Sequence, residues 1–432
     1  MEFSKKKNIT IIFSAVFLFA ILLYVIAHSE STIFTDFIYE KVETSEVSET
    51  KLDLQEDLIP KKIESEVSAA LSSPPPIIRG VYVTNWSAAS RKYLLYLDQI
   101  FKTTQINTVV IDIKDYSGTV VYETRAKKAR EYKTFSRSLI DINNLVRNFH
   151  DQGVYVIARI NIFNDQALAK VRPGLAIYSK SKSEGQQEPV LWKDSSGLRW
   201  LDPASEEVWD YNIEIAADAL SHGFDEVNFD YIRFPSDGAI EDIGYPIKGE
   251  NISRRAVIKS FFQKIRESLP NATLSVDLFG QTTIITNGDM GVGQVFEDAF
   301  DYFNYVCPMI YPSHYVNGFM GFDNPAEHPY EVVKNALDNA VLRRSVHAKE
   351  NPENPSQPVD QLVNGVRARK LAEIRPWIQD FNLGANYDAN MVSQEIKAVK
   401  DSMGEIFNGF MLWNPSNFYT TEAIIRNTAD SN

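Results

Sequence analysis

The segment GFDEVNFDYIRFP, residues 223–235, decides how the rest of the chain is interpreted. Within it, apolar residues alternate with Asn228 and Asp230, and alternation with a period of two is typical of a β-strand. Asn228 and Asp230 then share one face, while Phe229 lies on the other. The segment therefore predicts a strand with polar side chains on one face near its end.

Seven further short apolar runs resemble this strand, and helical patterns separate them. The predicted strands are Ile78–Trp86, Thr108–Asp115, Val154–Phe163, Glu226–Phe234, Thr273–Gly280, Asn304–Pro312, Leu371–Phe381 and Gly409–Asn414. Strands this apolar belong to a parallel sheet that is covered on both sides. Eight strand–helix units predict an α/β fold, a (β/α)8 TIM barrel, over residues 77–432. A doubly wound open sheet is the competing fold, but no G-x-G-x-x-G follows the first strand.

Helix and loop patterns give the barrel its polarity. The helix predicted over Ser205–His222 has Asp202 as its expected N-cap and Gly223 after its end. Most connections that follow a strand are long, such as residues 164–201, whereas most of those that precede one are tight. Barrel enzymes place their chemistry on the long-loop face, so the predicted site lies at the carboxyl ends of the strands.

The first 76 residues form two regions of a different kind. Residues 1–27 carry three lysines before an apolar run, Ile9 to Ala27, which nearly matches a bilayer core. A signal peptide has a shorter apolar region, so an uncleaved transmembrane anchor is predicted. Residues 28–76 are acidic and end in three prolines, as expected of a disordered linker. The lysines stay cytoplasmic under the positive-inside rule, which places the barrel outside the cell membrane.

Composition excludes several classes of protein. The net charge is −13, and about half of it lies in the linker, so a nucleic-acid-binding protein is not expected. One cysteine, Cys307, permits no intramolecular disulfide, and the six scattered histidines lack metal-ligand spacing. No cofactor and no metal are therefore predicted.

Two strand-end aspartates are the predicted catalytic residues. Asp230 ends the fourth strand and Asp277 the fifth, both on the face expected to point into the barrel mouth. Two neighbouring carboxyl groups supply what acetal hydrolysis requires, one ionised and one holding a proton. The alternative is that each aspartate forms a structural ion pair, with Arg233, Lys114 or Arg159 as partner.

Aromatic and polar residues at the same strand ends predict a sugar-binding surface. Aromatic rings stack on the apolar faces of sugars, and polar side chains bind their hydroxyl groups. The predicted substrate-binding residues are Asp112, Lys114, Arg159, Arg233, Tyr311, His314, Trp377, Gln379, Asp380, Trp413 and Asn414.

Several of these motifs resemble one family along most of the body of the chain. Besides residues 223–235, the segments are VIDIKD (110–115), SVDLFG (275–280), PMIYPSH (308–314), RPWIQDF (375–381) and LWNP (412–415). Together they resemble the bacterial glycosyl hydrolase-like domain formerly catalogued as a domain of unknown function. The resemblance covers about residues 77–425 and implies a TIM barrel related to polysaccharide-cleaving glycosidases.

A second resemblance is instructive because it is incomplete. The fourth strand is similar to the chitinase pattern D-x-x-D-x-D-x-E, with Asp225, Asn228 and Asp230 at its acidic positions. Ile232 stands where that pattern has its proton-donating glutamate. The acid of a hydrolase must therefore come from elsewhere, and Asp277 is the candidate.

These patterns predict a membrane-anchored, extracytoplasmic glycoside hydrolase whose partners are a cell-surface or extracellular polysaccharide and, through the anchor, the membrane. The main alternative is a non-catalytic glycan-binding or envelope-scaffold barrel, which Ile232 favours. A carbohydrate esterase would need a metal triad or a Ser–His pair, and neither is present in the motifs.

Overall fold

The structure is a computed structural model, and it describes residues 70–426 except 138, 248, 250, 351–358, 364–365 and 370. The predicted anchor, residues 1–27, and most of the predicted linker lie outside the described residues. No helix in the described part of the chain has both the length and the apolar character needed to span a bilayer.

Eight parallel strand positions close into a barrel, which confirms the predicted (β/α)8 architecture. The strands are β1 (Ile78–Val83), β2 (Thr108–Lys114), β3 (Tyr155–Asn161), β4 (Glu226–Asp230), β5 (Leu274–Phe279), β6 (Tyr305–Ile310), β7 (Glu373–Ile374 and Trp377–Gln379) and β8 (Gly409–Trp413). Each pairs with its neighbours in chain order, and β8 pairs with β1 to complete the circle.

All eight predicted strands are present, and all are shorter than predicted. The seventh is divided in two because Pro376 has no N–H to donate to the neighbouring strand. Every residue of β2 and β3 is buried, as expected when helices cover the outside of the sheet and side chains fill its inside.

One helix after each of the first seven strands covers the barrel, and four short helices of the described chain, Asn85–Ala89, Lys127–Tyr132, Gln166–Val171 and Lys180–Ser183, lie in the connections. The covering helices are α1 (Arg91–Thr103), α2 (Ile142–His150), α3 (Glu206–Ser221), α4 (Arg254–Ser268), α5 (Phe296–Phe300), α6 (Pro329–Glu350) and α7 (Ala389–Met403). After β8 the chain forms a 3-10 turn, Thr421–Ile424. Two small antiparallel pairs lie in the connections, Tyr178–Ser179 with Ile243–Gly244 and Val359–Val363 with Val366–Arg369.

The start of α3 differs from the prediction. Ser205, not Asp202, is the N-cap, because its side chain accepts the backbone N–H of Val208. Asp202 accepts the N–H groups of Ala204 and Ile247 instead, which ties the chain before α3 to the loop after β4. The predicted Asp202 cap is therefore wrong by three residues.

Buried side chains lie on both sides of the strands. The larger apolar core lies between the strands and the helices and contains outward-pointing residues such as Phe229 and Val276. A smaller cluster fills the barrel interior, and it includes Tyr82, Cys307 and Trp377. Burial raises the pKa of the Cys307 thiol well above its usual value, so this cysteine is an inert core residue.

Candidate active site

The register between β4 and β5 brings the two predicted catalytic aspartates together. Asn228 pairs with Ser275 and Phe229 with Val276, so Asp230 and Asp277 end adjacent strands. Both side chains are buried on the interior side, whereas Phe229 packs into the outer core. The strand alternation thus places both carboxyl groups at the carboxyl end of the barrel.

Arg159 on β3 is the centre of the site. One terminal nitrogen donates to Asp112 on β2 and the other donates to Asp230. Its Nε lies 3.7 Å from Oδ2 of Asp277. The guanidinium also lies over the ring of Trp413, 5.0 Å from its centroid. A single buried cation therefore contacts three carboxyl groups on three strands.

Burial raises the pKa of two of these carboxyl groups, Asp112 and, more strongly, Asp277. Burial raises the pKa of Asp277 well above its usual value, and the nearby charge of Asp230 raises it further. Its Oδ1 accepts hydrogen bonds from Asn228 Nδ2 and Trp377 Nε1, both at 2.8 Å. Its Oδ2 is buried and accepts no hydrogen bond in the described chain, so it is the oxygen left to carry the proton.

Asp230 has the opposite environment. Besides the ion pair with Arg159, its Oδ1 accepts the N–H of Tyr231 at 2.5 Å. Donors of this kind stabilise a carboxylate. Tyr231 adopts φ = 52°, a left-handed conformation that costs free energy for a residue with a side chain. The backbone after β4 thus bends so that its N–H points at Asp230.

A cavity of about 410 Å³ opens above the arginine centre. Its floor and walls come from the ends of β3, β4, β5, β6 and β8. Of the predicted residues, six line it: Asp230, Arg159, Arg233, Tyr311, His314 and Trp413. Trp377 and Asp277 lie beneath this surface and are joined by the hydrogen bond described above.

Two tyrosine hydroxyl groups in the cavity wall have no hydrogen-bond partner among the described residues. Tyr311 and Tyr315 are both buried, and neither hydroxyl makes a hydrogen bond with a described residue. Gly280 leaves room for this wall, since a Cβ there would lie 3.0 Å from the Tyr315 hydroxyl and 2.4 Å from the Met309 carbonyl oxygen. These hydroxyls can bind oxygens of a ligand.

Besides Trp377, five predicted substrate-binding residues lie outside the cavity lining. Lys114 is fully buried and pairs with Asp165 at 2.8 Å, and Asp112 lies beneath Arg159. The remaining three bind the loops after β6, β7 and β8: Gln379 accepts from Ser313, Asp380 from Thr420, and Asn414 donates to carbonyl oxygens of Asp380 and Phe418. For all eleven predicted substrate-binding residues, contact with a sugar stays a prediction.

The chitinase-like positions are also separated in space. Asp225 lies at the start of β4, where it accepts the Val156 N–H and contacts His150, 3.0 Å away. Ile232 is buried in the outer core. Of the three acidic positions of the pattern, Asp230 is the one that reaches the cavity.

Six lining residues were not predicted: Tyr231, Phe279, Gly280, Gln281, Met309 and Tyr315. Three of them, residues 279–281, directly follow the predicted fifth-strand aspartate. Their position after a strand is the signal that could have found them, since the predicted site lies at the carboxyl ends of the strands. In the described chain no group of three or more His, Cys, Asp or Glu side chains could hold a metal ion.

Several solved structures are similar to this chain. A hypothetical protein from Ruminiclostridium thermocellum is 34% identical over 46% of this chain and 96% of its own, with a TM-score of 0.41. The PgaB glycoside hydrolase domain from Bordetella bronchiseptica is 13% identical, covering 79% of this chain and 95% of that domain, with a TM-score of 0.52. The second likeness shows the fold alone.

The glycoside hydrolase domain of PelA from Pseudomonas aeruginosa is 10% identical, with a TM-score of 0.38, over 80% of this chain and 97% of that domain. No curated protein matches the sequence. The family described as "Putative glycosyl hydrolase domain" matches residues 80–419, nearly the whole barrel. The chain therefore belongs to this family of glycosyl hydrolase-like domains.

Proposed function

We propose that this protein is a membrane-anchored, extracytoplasmic glycoside hydrolase that cleaves a cell-surface or extracellular polysaccharide. The observation that carries the proposal is the contrast between Asp230 and Asp277. They end adjacent strands and share Arg159, yet only Asp277 is held in a setting that keeps a proton. Carboxyl groups with such opposed environments are the acid and base of glycoside hydrolysis.

In the proposed reaction, Asp277 is the general acid. Its proton on Oδ2 passes to the glycosidic oxygen as the bond from that oxygen to the anomeric carbon breaks. The proton leaves a carboxylate on Asp277, which Arg159 Nε at 3.7 Å and the donors Asn228 and Trp377 stabilise. The proton is therefore released into a site already equipped for the resulting charge.

Asp230 acts on the anomeric carbon. As nucleophile it forms a bond to this carbon, and water later displaces the sugar; as general base it removes a proton from the attacking water instead. The distance between the two carboxyl groups in the substrate complex decides between these routes. Either role requires an ionised carboxylate, which Arg159 and the Tyr231 N–H support.

The cavity wall binds the sugar. Trp413, Tyr311 and Tyr315 line the cavity, and neither tyrosine hydroxyl has a hydrogen-bond partner among the described residues. Burial raises the pKa of the Tyr311 hydroxyl well above its usual value, and the charges of Asp277 and Asp230 add to this effect. Tyr311 therefore stays a neutral donor at physiological pH.

The anchor part of the proposal rests on the sequence alone, on the lysines and the apolar run of residues 1–27. The backbone N–H of Leu71 donates to Asp225 Oδ1 at 2.6 Å, at the start of β4. This is the end of the barrel opposite the cavity. The described chain therefore enters the barrel at the end opposite the cavity.

One observation favours the alternative of a non-catalytic glycan-binding barrel. Asp277 is only 1% exposed and does not line the cavity, so its proton could serve the fold alone. The two functions differ in one result, since a binding protein releases no product from a glycan that it retains.

The test is incubation of the protein with a panel of bacterial envelope polysaccharides, followed by mass spectrometry of the products. We expect the wild type to release oligosaccharides, and Asp230→Asn and Asp277→Asn each to lower the rate ~10²- to 10⁴-fold. The matched control is Asp338→Asn, an exposed carboxyl on α6 that pairs with Lys334.

Melting temperatures separate loss of chemistry from loss of fold, and all three variants should stay folded and unfold cooperatively above the assay temperature. Full activity in either site variant would overturn its assignment. Retention of a glycan without product after days would establish the binding alternative.

A further inference from the structure

Four arginines are buried in the described chain. Two of them form ion pairs with carboxylates, and a third donates hydrogen bonds from all three of its nitrogens. Arg159 and Arg375 form ion pairs with carboxylates. Arg266 has no such pair, but its three nitrogens all donate, to three backbone carbonyl oxygens and to Asn304 Oδ1. Arg233, the remaining one, is different, and it lines the cavity.

The hydrogen bonds of Arg233 involve only one nitrogen. Nη1 donates to the Phe234 carbonyl oxygen and to Ser236 Oγ, both at 3.1 Å. Nε and Nη2 donate to no described residue, and no described carboxylate forms an ion pair with this side chain. Asp230 contributes a favourable field, but its own oxygens are bound by Arg159 and the Tyr231 N–H.

Aromatic rings hold the guanidinium of Arg233 in place. Its central carbon lies 4.5 Å from the ring centroid of Phe279, 4.9 Å from that of Trp200 and 5.1 Å from that of Tyr231. Cation–π contacts stabilise the charge but offer no hydrogen-bond acceptor. Burial lowers the pKa of Arg233 relative to its usual value, as expected of a cation whose lost hydration is not fully replaced.

A rigid, buried guanidinium with unused donors is suited to an anion. Its planar fork matches a carboxylate, and such charge-assisted hydrogen bonds are stronger than those to neutral hydroxyls. We propose that Arg233 binds a carboxylate substituent of the sugar, which makes the substrate an acidic, uronic-acid-containing polysaccharide. This inference rests on the proposed function, because it assigns the substrate class of the same cavity.

The experiment compares sugars that differ only in the carboxylate. D-glucuronate is paired with D-glucose, and D-galacturonate with D-galactose, and dissociation constants are measured by calorimetry on the full-length protein. We expect at least one acidic sugar to bind about tenfold or more tightly than its neutral partner, because a hydrogen bond to a charged group contributes about 1.5–3 kcal/mol.

Two variants assign any preference to Arg233. Arg233→Gln should abolish the preference, and Arg233→Lys, which keeps the charge but not the fork, should retain part of it. Near-ultraviolet circular dichroism verifies that both variants fold. Equal binding of every acidic and neutral pair, or a full preference in folded Arg233→Gln, would overturn the inference.

Binding and turnover fail separately in this design. If no polysaccharide is hydrolysed but the acidic preference persists and depends on Arg233, the proposed hydrolysis fails and the recognition stands. If neutral polysaccharides are hydrolysed and no acidic preference exists, the recognition fails and the hydrolysis stands.

Discussion

Each end of the barrel interior contains a buried arginine, and the two differ in how many carboxyl groups they face. At the amino ends of the strands, Arg375 donates to Glu226, and both side chains are 0% exposed. At the carboxyl ends, Arg159 faces Asp112, Asp230 and Asp277. The first pair balances its charge one to one, whereas the second group carries more acid than base.

This difference determines which end can perform chemistry. Burial alone would lower the pKa of Arg375, but the charge of Glu226 raises it above its usual value. With three acids around one cation, burial raises the pKa of both Asp112 and Asp277. The surplus acid therefore keeps a proton next to a cavity, as a general acid requires.

Replacing each arginine with methionine should give the largest effects and compare the two ends directly. Breaking a buried ion pair by removing one partner costs about 3–5 kcal/mol, because the other charge stays buried. We expect Arg375→Met to lower the free energy of unfolding by this amount at pH 7, and Arg159→Met to lower it more. Urea unfolding followed by tryptophan fluorescence measures both.

Lower pH should restore part of the stability of Arg159→Met. Without Arg159, the folded state holds three buried carboxyl groups with no cation, and their ionisation lowers its stability. This loss disappears as the pH falls toward about 4, the pKa of an aspartate in the unfolded chain. Arg172→Met is the control, because its pair with Glu207 is about one third exposed and should contribute at most about 1 kcal/mol. Equal losses for Arg159→Met and Arg375→Met would contradict the charge-count comparison.

The second prediction concerns the proton on Asp277. Because its folded pKa is raised, Asp277 contributes most to stability below the unfolded pKa of about 3.9, and this contribution falls as pH rises toward the folded value. The slope can reach about 1.4 kcal/mol per pH unit. Asp277→Asn cannot lose a proton, so its stability relative to the wild type should increase between about pH 4 and pH 7.

Thermal unfolding across this range, with wild type and variant in the same buffers, measures the difference. Glu226→Gln is the comparison from the balanced end, and its stability relative to the wild type should not improve with pH, since it removes the counter-charge of Arg375. A constant difference between Asp277→Asn and the wild type would show that Asp277 is ionised throughout.

The fold could be predicted from sequence because its signals are local. Strand alternation and apolar runs located all eight strands, and the same alternation placed Asp230 and Asp277 on the interior face. The ends of the strands were predicted less accurately. Trp86 is as apolar as the residues of β1, yet it lies beyond the end of that strand and is 71% exposed. What ends a strand there is the capping of a short helix by Thr84, which depends on backbone geometry.

The site was predicted less completely because it depends on side-chain contacts between residues that are far apart in the sequence. Lys114 has the sequence context of a sugar-binding residue, yet Asp165 from a distant loop binds it in the core. Asp380 is likewise bound by Thr420, which packing after β8 brings to it. Tyr315 was not predicted for the reverse reason. It becomes a candidate only once the structure shows that no described residue hydrogen-bonds its buried hydroxyl.

The smallest expected effect tests the same comparison with one hydroxyl at each end. Tyr82 donates to Asp112 Oδ2 at 2.6 Å, whereas Tyr155 donates to Glu226 Oε2 at 3.3 Å. Hydrogen bonds to charged groups contribute about 1.5–3 kcal/mol, and longer ones contribute less. We expect Tyr82→Phe to lower the free energy of unfolding by about 1.5–3 kcal/mol and Tyr155→Phe by about 1 kcal/mol or less.

Phenylalanine keeps the stacking of residue 82 on Trp413, whose ring centroid is 3.9 Å away, so the measured loss reports the hydroxyl. Urea unfolding at pH 7 gives both values. The Tyr82 hydroxyl stabilises Asp112, which shares Arg159 with two other carboxyl groups. In the described chain Glu226 is the one carboxyl group that pairs with Arg375. If Tyr155→Phe lowered the free energy of unfolding as much as Tyr82→Phe, the two hydroxyls would contribute equally to stability. The number of carboxyl groups per arginine would then not explain the difference between the two ends of the barrel.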